Sequence, residues 1–119
     1  MKRRLNTAEN TPAYRRHLLP VHDTIQLLSG KWKIEIICSL TFSKRHFMEL
    51  QRDVLGISAR MLSKELQDLE VNGLITRTAF NTKPITVIYE LSEYGKTLIP
   101  VIHMMGSWGD KHRKIIFDS

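Results

Sequence analysis

Residues 56–75 constrain this chain more than any others. They read Gly-Ile-Ser-Ala-Arg-Met-Leu-Ser-Lys-Glu-Leu-Gln-Asp-Leu-Glu-Val-Asn-Gly-Leu-Ile, the pattern of a capped amphipathic helix running straight into a strand. The Ser58 oxygen can accept a bond from an orphan N–H of the first turn. Gly73 supplies the left-handed residue that stops the helix. At 100° per residue, Leu62, Leu66 and Leu69 fall within about 60° of arc. The opposite face carries Arg60, Ser63, Lys64 and Gln67, side chains of the kind that read base edges in a major groove. One leucine stripe packs the helix and the polar stripe faces outward.

The flanking segments extend this pattern. Residues 1–12 are polar and expected to be poorly ordered. Tyr14 to Leu19 is expected as a short helix or arm before Pro20, and Val21 to Leu28 as a second short helix ended by Ser29-Gly30. Lys31 to Leu40 reads as a helix apolar on nearly every side, hence buried, with Cys38 inside it. A polar connection at Thr41–Lys44 precedes a helix over Arg45–Val54, where Phe47, Leu50 and Val54 keep helical spacing. Leu55-Gly56-Ile57 then makes a tight turn, completing a helix-turn-helix. After Gly73 the period changes to that of a hairpin: Leu74–Phe80 and Ile85–Leu91 flank Asn81-Thr82-Lys83-Pro84. Ser92 caps a final helix striped by Leu98, Val101, Ile102, Met105, Trp108 and His112, with a kink expected near residues 96–100 because Pro100 removes a backbone donor. The expected fold is mainly α with a small β-hairpin (α+β): a winged helix-turn-helix with a long C-terminal dimerisation helix. It occupies residues 18–119, after a basic arm over 1–17.

Composition narrows the function classes. With 119 residues, 42% hydrophobic and 25% charged, the chain suits one globular domain. One cysteine cannot form an intramolecular disulfide and suits a reducing cytoplasm; no apolar run approaches the roughly 20 residues of a membrane span. Net charge is +6, which favours a polyanionic partner. Yet residues 1–17 hold +4 of it and the rest only +2, so nucleic-acid binding must come from local placement. The basic tail reads equally as a mobile terminus or a phosphate-contacting arm. The five histidines are scattered and no zinc spacing occurs. With no nucleophile–base pair, phosphate loop or paired catalytic carboxylates, neither an enzyme nor a cofactor is expected.

Several separated pieces resemble one known family. They are Ser-Gly-Lys-Trp at 29–32, Arg-His-Phe-Met-Glu-Leu at 45–50, Gly-Ile-Ser-Ala-Arg-Met-Leu-Ser at 56–63, Leu-Glu-Val-Asn-Gly-Leu-Ile at 69–75, Val-Ile-Tyr-Glu-Leu-Ser-Glu-Tyr-Gly at 87–95 and Ser-Trp-Gly at 107–109. In this order they resemble the HxlR-type branch of bacterial winged-helix regulators, related to the MarR regulators, over about four-fifths of the chain. The resemblance implies a DNA-binding transcriptional regulator acting as a homodimer on a two-fold-related operator. Family members often carry a cysteine directly before the Pro-Val pair near the first helix. Here that tripeptide is Leu19-Pro20-Val21, so thiol sensing at this position is absent.

The candidate DNA-binding residues follow. Arg60 sits in the first turn, and its fork can bond guanine O6 and N7. Gln67 suits adenine or a phosphate, Ser58 and Ser63 are short donors, and Lys64 suits a phosphate. Asn81, Thr82 and Lys83 at the wing tip, with Arg77 from the strand, suit the minor groove or backbone; Asn81-Thr82-Lys83-Pro84 also reads as an ordinary turn. Lys31, Lys44 and Arg45 could touch flanking phosphates. Leu98, Val101, Ile102, Met105 and Trp108 are the candidate dimer interface. A repressor blocking polymerase is the expected mechanism, with a small-molecule effector acting through a cleft between the final helix and the DNA-binding core. Cys38 reads as packing rather than redox chemistry. The alternative is a winged-helix protein–protein interaction module whose Arg60 face binds an acidic partner.

Overall fold

The computed structural model describes residues 12–118; the arm residues Lys2, Arg3 and Arg4 lie outside the described residues. The chain divides into two compact units, residues 1–31 and 32–119.

The first unit contains helix α1, Ala13–Leu28. The sequence suggests a break at Pro20, whereas the structure has one helix of 16 residues with Pro20 inside it. The proline ring removes one backbone donor, but its fixed φ is helical, so the chain continues. The expected arm boundary at residue 17 therefore falls within a helix. Tyr14, Leu19 and Ile25 are exposed along it.

The second unit runs α2 (Lys33–Phe42), β1 (Arg45–His46), α3 (Phe47–Asp53), α4 (Ala59–Val71), β2 (Ile75–Phe80), β3 (Thr86–Leu91), α5 (Glu93–Lys96) and α6 (Ile99–Phe117). The expected hairpin is the larger part of a three-stranded antiparallel sheet in the order β1-β3-β2. Ile75 pairs with Leu91 and Phe80 with Thr86 in the hairpin, while Arg45 pairs with Tyr89 across β1. The first two residues of the helix expected at Arg45 are thus a strand. Two ladder pairs are too few to leave a period in sequence, and helix α3 starts only at Phe47.

Three helical stripes and the base of the sheet make the core. Ile36, Ile37 and Leu40 of α2, Leu50 of α3, and Leu62, Leu66 and Leu69 of α4 are all at most 4% exposed. Val54, Ile57, Leu74, Ile75, Tyr89, Leu91 and Leu98 join them. α2 has one buried face rather than several: Ile34 and Cys38 are half-buried, and Phe42, expected beyond the helix, is its last residue and 84% exposed. Gly56, in the turn before α4, has φ +89°, and Gly73 after it has φ +77°. Both turns need the left-handed region that a side chain disfavours.

The single final helix expected after Ser92 is two. Ser92 caps α5, its Oγ accepting from Gly95 N at 2.9 Å and donating to the Gly73 carbonyl at 2.6 Å. The chain then restarts as α6 with Pro100 in its first turn, where a missing N–H costs nothing. Proline here starts a helix instead of kinking one. Among the described residues no helix is long and apolar enough to cross a membrane, and no cluster of three potential metal ligands occurs.

Candidate nucleic-acid interface

The outward face of α4 is built by the same spacing that buries its leucines. Leu62, Leu66 and Leu69 are 0%, 2% and 0% exposed, which leaves Arg60, Ser63, Lys64 and Gln67 exposed on the far side. Ser58 caps the helix, its Oγ accepting from Met61 N at 3.1 Å; the hydroxyl proton stays available to an acceptor. The remaining N–H groups of this first turn give the helix end partial positive charge, which favours a phosphate nearby. Arg60, Ser63 and Gln67 hold no ion pair or side-chain hydrogen bond among the described residues. Lys64 is shared: its Nζ lies 3.6 Å from Asp68 one turn on.

Sequence reasoning missed what seats this helix. Lys33 Nζ of α2 donates to Glu65 Oε1 at 2.5 Å and lies 3.6 Å from Asp68 Oδ2. Glu65 is 9% exposed, the one charged residue buried among the described residues. Its hydrogen bond raises the Lys33 pKa above the ordinary lysine value, against the opposing pull of burial. Asp68 is balanced by two lysines, Lys33 and Lys64. The signal was present in the helical wheel: Glu65 lies only 60° from Leu62, at the edge of the leucine stripe, so it needed a cation.

The wing strand stands beside α4. A cleft of about 340 Å³ is lined by Ser63, Leu66, Gln67 and Glu70 of α4 with Arg77 of β2 and Tyr89 of β3. Ser63, Gln67 and Arg77 therefore come together on one surface. At the wing tip Asn81, Thr82 and Lys83 are exposed, but the Thr82 hydroxyl is engaged with the Pro84 carbonyl at 2.7 Å and Thr86 Oγ1 at 2.9 Å. It shapes the turn, leaving Asn81 and Lys83 as the outward groups. Lys44 is exposed in the link from α2 to β1. Arg45 is not a solvent-facing cation: its Nε lies 3.3 Å from Asp53 Oδ2, which draws it against α3. Lys31 is exposed and belongs to the other unit.

The same fold occurs in known proteins. The HxlR-like helix-turn-helix family model matches residues 27–116. The chain belongs to that family. An HTH-type transcriptional regulator of Bacillus subtilis strain 168, YtcD, is 39% identical over 98 residues, covering 82% of this chain and 78% of that one. Among solved structures, the redox regulator HypR in its reduced form superposes with a TM-score of 0.77 at 33% identity, covering 84% of this chain and 99% of that one. A regulator described as of the MarR family, from Enterococcus faecalis V583, gives 0.76 at 26% identity over 96% of this chain and all of that one. The chain is a helix-turn-helix transcriptional regulator of the HxlR type, with the winged-helix fold of its structural relatives. Its family and relatives are regulators rather than enzymes.

α6 carries the remaining expected site. None of its residues is buried. Val101, Met104, Met105, Trp108, Ile115 and Ile116 are 39–71% exposed and fall on one side of the helix at 100° per residue. Trp108 stacks on His112, with centroids 4.9 Å apart. Leu98 does not belong with them: it precedes α6 and is 9% exposed, already packed in the protomer's own core.

Proposed function

We propose that this regulator binds a two-fold-symmetric operator as a homodimer, placing α4 in the major groove and the wing on the adjacent minor groove or backbone. It represses by covering a promoter. The observation that carries the assignment is the division of α4, with three leucines sealed in the core and Arg60, Ser63 and Gln67 left outward without side-chain partners among the described residues. One such helix reads only a few base pairs, so two copies about one DNA turn apart are needed for useful specificity. The apolar side of α6 supplies the surface for pairing, through Val101, Ile102, Met105 and Trp108. An exposed apolar strip of this kind on a small protein marks an interaction site. Exposed Tyr14 and Leu19 of α1 are suited to the partner's share of it.

In the contacts to DNA, Arg60 reads a guanine and Gln67 an adenine or a phosphate. Ser58, Ser63, Lys64 and Arg77 hold the flanking backbone, and Asn81 and Lys83 reach from the wing. Lys31 and Lys44 suit outlying phosphates. The cysteine that the family resemblance places directly before the Pro-Val pair is replaced here by Leu19, so thiol sensing at that position is not proposed for this chain.

Fluorescence anisotropy with labelled duplexes of varied sequence tests this. The expected result is affinity that falls linearly with log salt while one palindromic duplex stays preferred. Equal affinity for all duplexes, or none, would instead favour a winged-helix module that binds an acidic protein.

A further inference from the structure

Tyr89 sits in the central strand of the sheet, between Arg45 of β1 and Arg77 of β2, and only 9% of it is exposed. A buried tyrosine hydroxyl ordinarily finds a hydrogen-bond partner. This one has none among the described residues. Nor is it sealed: Arg45 Nε is the one sealed side-chain polar atom without a partner among those residues, so the Tyr89 hydroxyl keeps an opening. That opening is the cleft of about 340 Å³ between α4 and the wing strands, which Tyr89 lines.

The other polar groups of the cleft are also unengaged. Arg77 lies directly across the ladder from Tyr89, which puts both side chains on one face of the sheet with Cβ atoms about 5 Å apart. Ser63, Gln67 and Arg77 hold no ion pair or side-chain hydrogen bond among the described residues. Two hydroxyls, an amide and a guanidinium therefore offer donors to one space. Glu70 is the one carboxylate of the lining. It lies two turns, about 10 Å, beyond Ser63 along α4, so an anion at the Ser63 end stays clear of it.

The duplex supplies such an anion. With α4 in the major groove and the wing on the adjacent minor groove, the placement on which this assignment rests, one sugar–phosphate strand separates the two grooves. That strand must cross the gap between α4 and the wing. We propose that the cleft seats one operator phosphate per half-site, which accepts from the Tyr89 hydroxyl and the Arg77 guanidinium, with Ser63 closing it from the α4 side. Tyr89 is thus a DNA-binding residue that fixes the register of helix and wing on the backbone and reads no base.

The test is fluorescence anisotropy on the preferred palindromic duplex, carrying a neutral methylphosphonate at one phosphate position at a time. Tyr89→Phe keeps the ring and should weaken every duplex about tenfold without changing the base preference. At one phosphate per half-site the methylphosphonate should cost the parent about tenfold and cost Tyr89→Phe almost nothing more; at all other positions the two losses should multiply. A purely structural role for Tyr89 would make them multiply everywhere. Arg77→Gln, at an exposed position, should lower the slope of log affinity against log salt by about one, whereas Tyr89→Phe should leave the slope unchanged because a phenol displaces no counterion. Inorganic phosphate at matched ionic strength should not displace the duplex; displacement would assign the cleft to a free anion. Parent-like affinity in Tyr89→Phe, or losses that multiply at every phosphate, would overturn the Tyr89 assignment while the operator reading stands. A parent that prefers no duplex would overturn both.

Discussion

Replacing Lys33 by methionine tests how α4 is held. The substitution keeps the length of the side chain and removes the cation that faces Glu65 at 2.5 Å. The carboxylate that remains is on a residue only 9% exposed. Breaking a fully buried ion pair typically costs about 3–5 kcal/mol, because the surviving charge loses both its partner and its water. Here the two side chains retain 17% and 12% exposure, so some water remains and the cost falls to about 2–3 kcal/mol. For a domain of this size that lowers Tm by about 8–12 °C. The assay is urea and thermal unfolding followed by circular dichroism. The double variant Lys33→Met, Glu65→Leu removes both charges and should recover to within about 1 kcal/mol of the parent. A single variant that loses less than about 0.5 kcal/mol, or a double variant no better than the single, would refute the reasoning. The pair also sets an alkaline limit. Lys33 has a folded pKa above its unfolded value, so its contribution is complete below the unfolded value, about 10.4. That contribution disappears as pH rises through the folded value. Alkaline loss of stability should therefore be steeper in the parent than in Lys33→Met.

Other substitutions separate the remaining parts. In Gly95→Ala the new Cβ would sit 2.0 Å from the Leu74 carbonyl oxygen, backbone that also accepts from Ser92 N; a loss of about 1–3 kcal/mol or more is expected in urea unfolding. Met105→Glu and Trp108→Asp, on exposed positions, should give folded monomers in sedimentation, with affinity for a full operator falling to that of a half-site; stable dimers would move the interface elsewhere. Burial, with help from the Glu35 charge, pushes the Cys38 thiol above its ordinary pKa. Alkylation near neutral pH should then be slower than for free cysteine and accelerate only at higher pH. Cys38→Ser should leave DNA affinity unchanged under mild oxidant, and an oxidant-dependent loss confined to the parent would show a redox role.

The parts legible in sequence were those written by local rules. Ser58, the leucines and Gly73 define α4 from one segment, and the structure places all of them as the spacing requires. The hairpin was visible because its period and turn residues are contiguous. What stayed hidden depends on partners distant in the chain. β1 is two residues long and exists because Tyr89 and Ile88 lie across from it. Lys33 and Glu65 are 32 positions apart, and only packing of α2 against α4 joins them. Arg45 read as one more surface cation until Asp53 of the next helix came beside it. Pro20 and Pro100 misled in opposite directions, since a proline ring can be carried within a helix or start one. Cys38 looked like core because composition alone does not say which side of an apolar helix is covered, and Phe42, expected in the polar connection, is instead the exposed last residue of α2.

Selection of bound fragments from random duplex DNA, run in parallel on the parent and on Arg60→Ala, measures the main assertion most directly. A consensus with two-fold symmetry and half-site centres about 10 base pairs apart is predicted. Arg60→Ala should lose discrimination at one position per half-site, worth about 1–3 kcal/mol, and keep the rest of the consensus. Fragments with no shared sequence, or an Arg60→Ala consensus identical to the parent's, would contradict a base-reading role for α4.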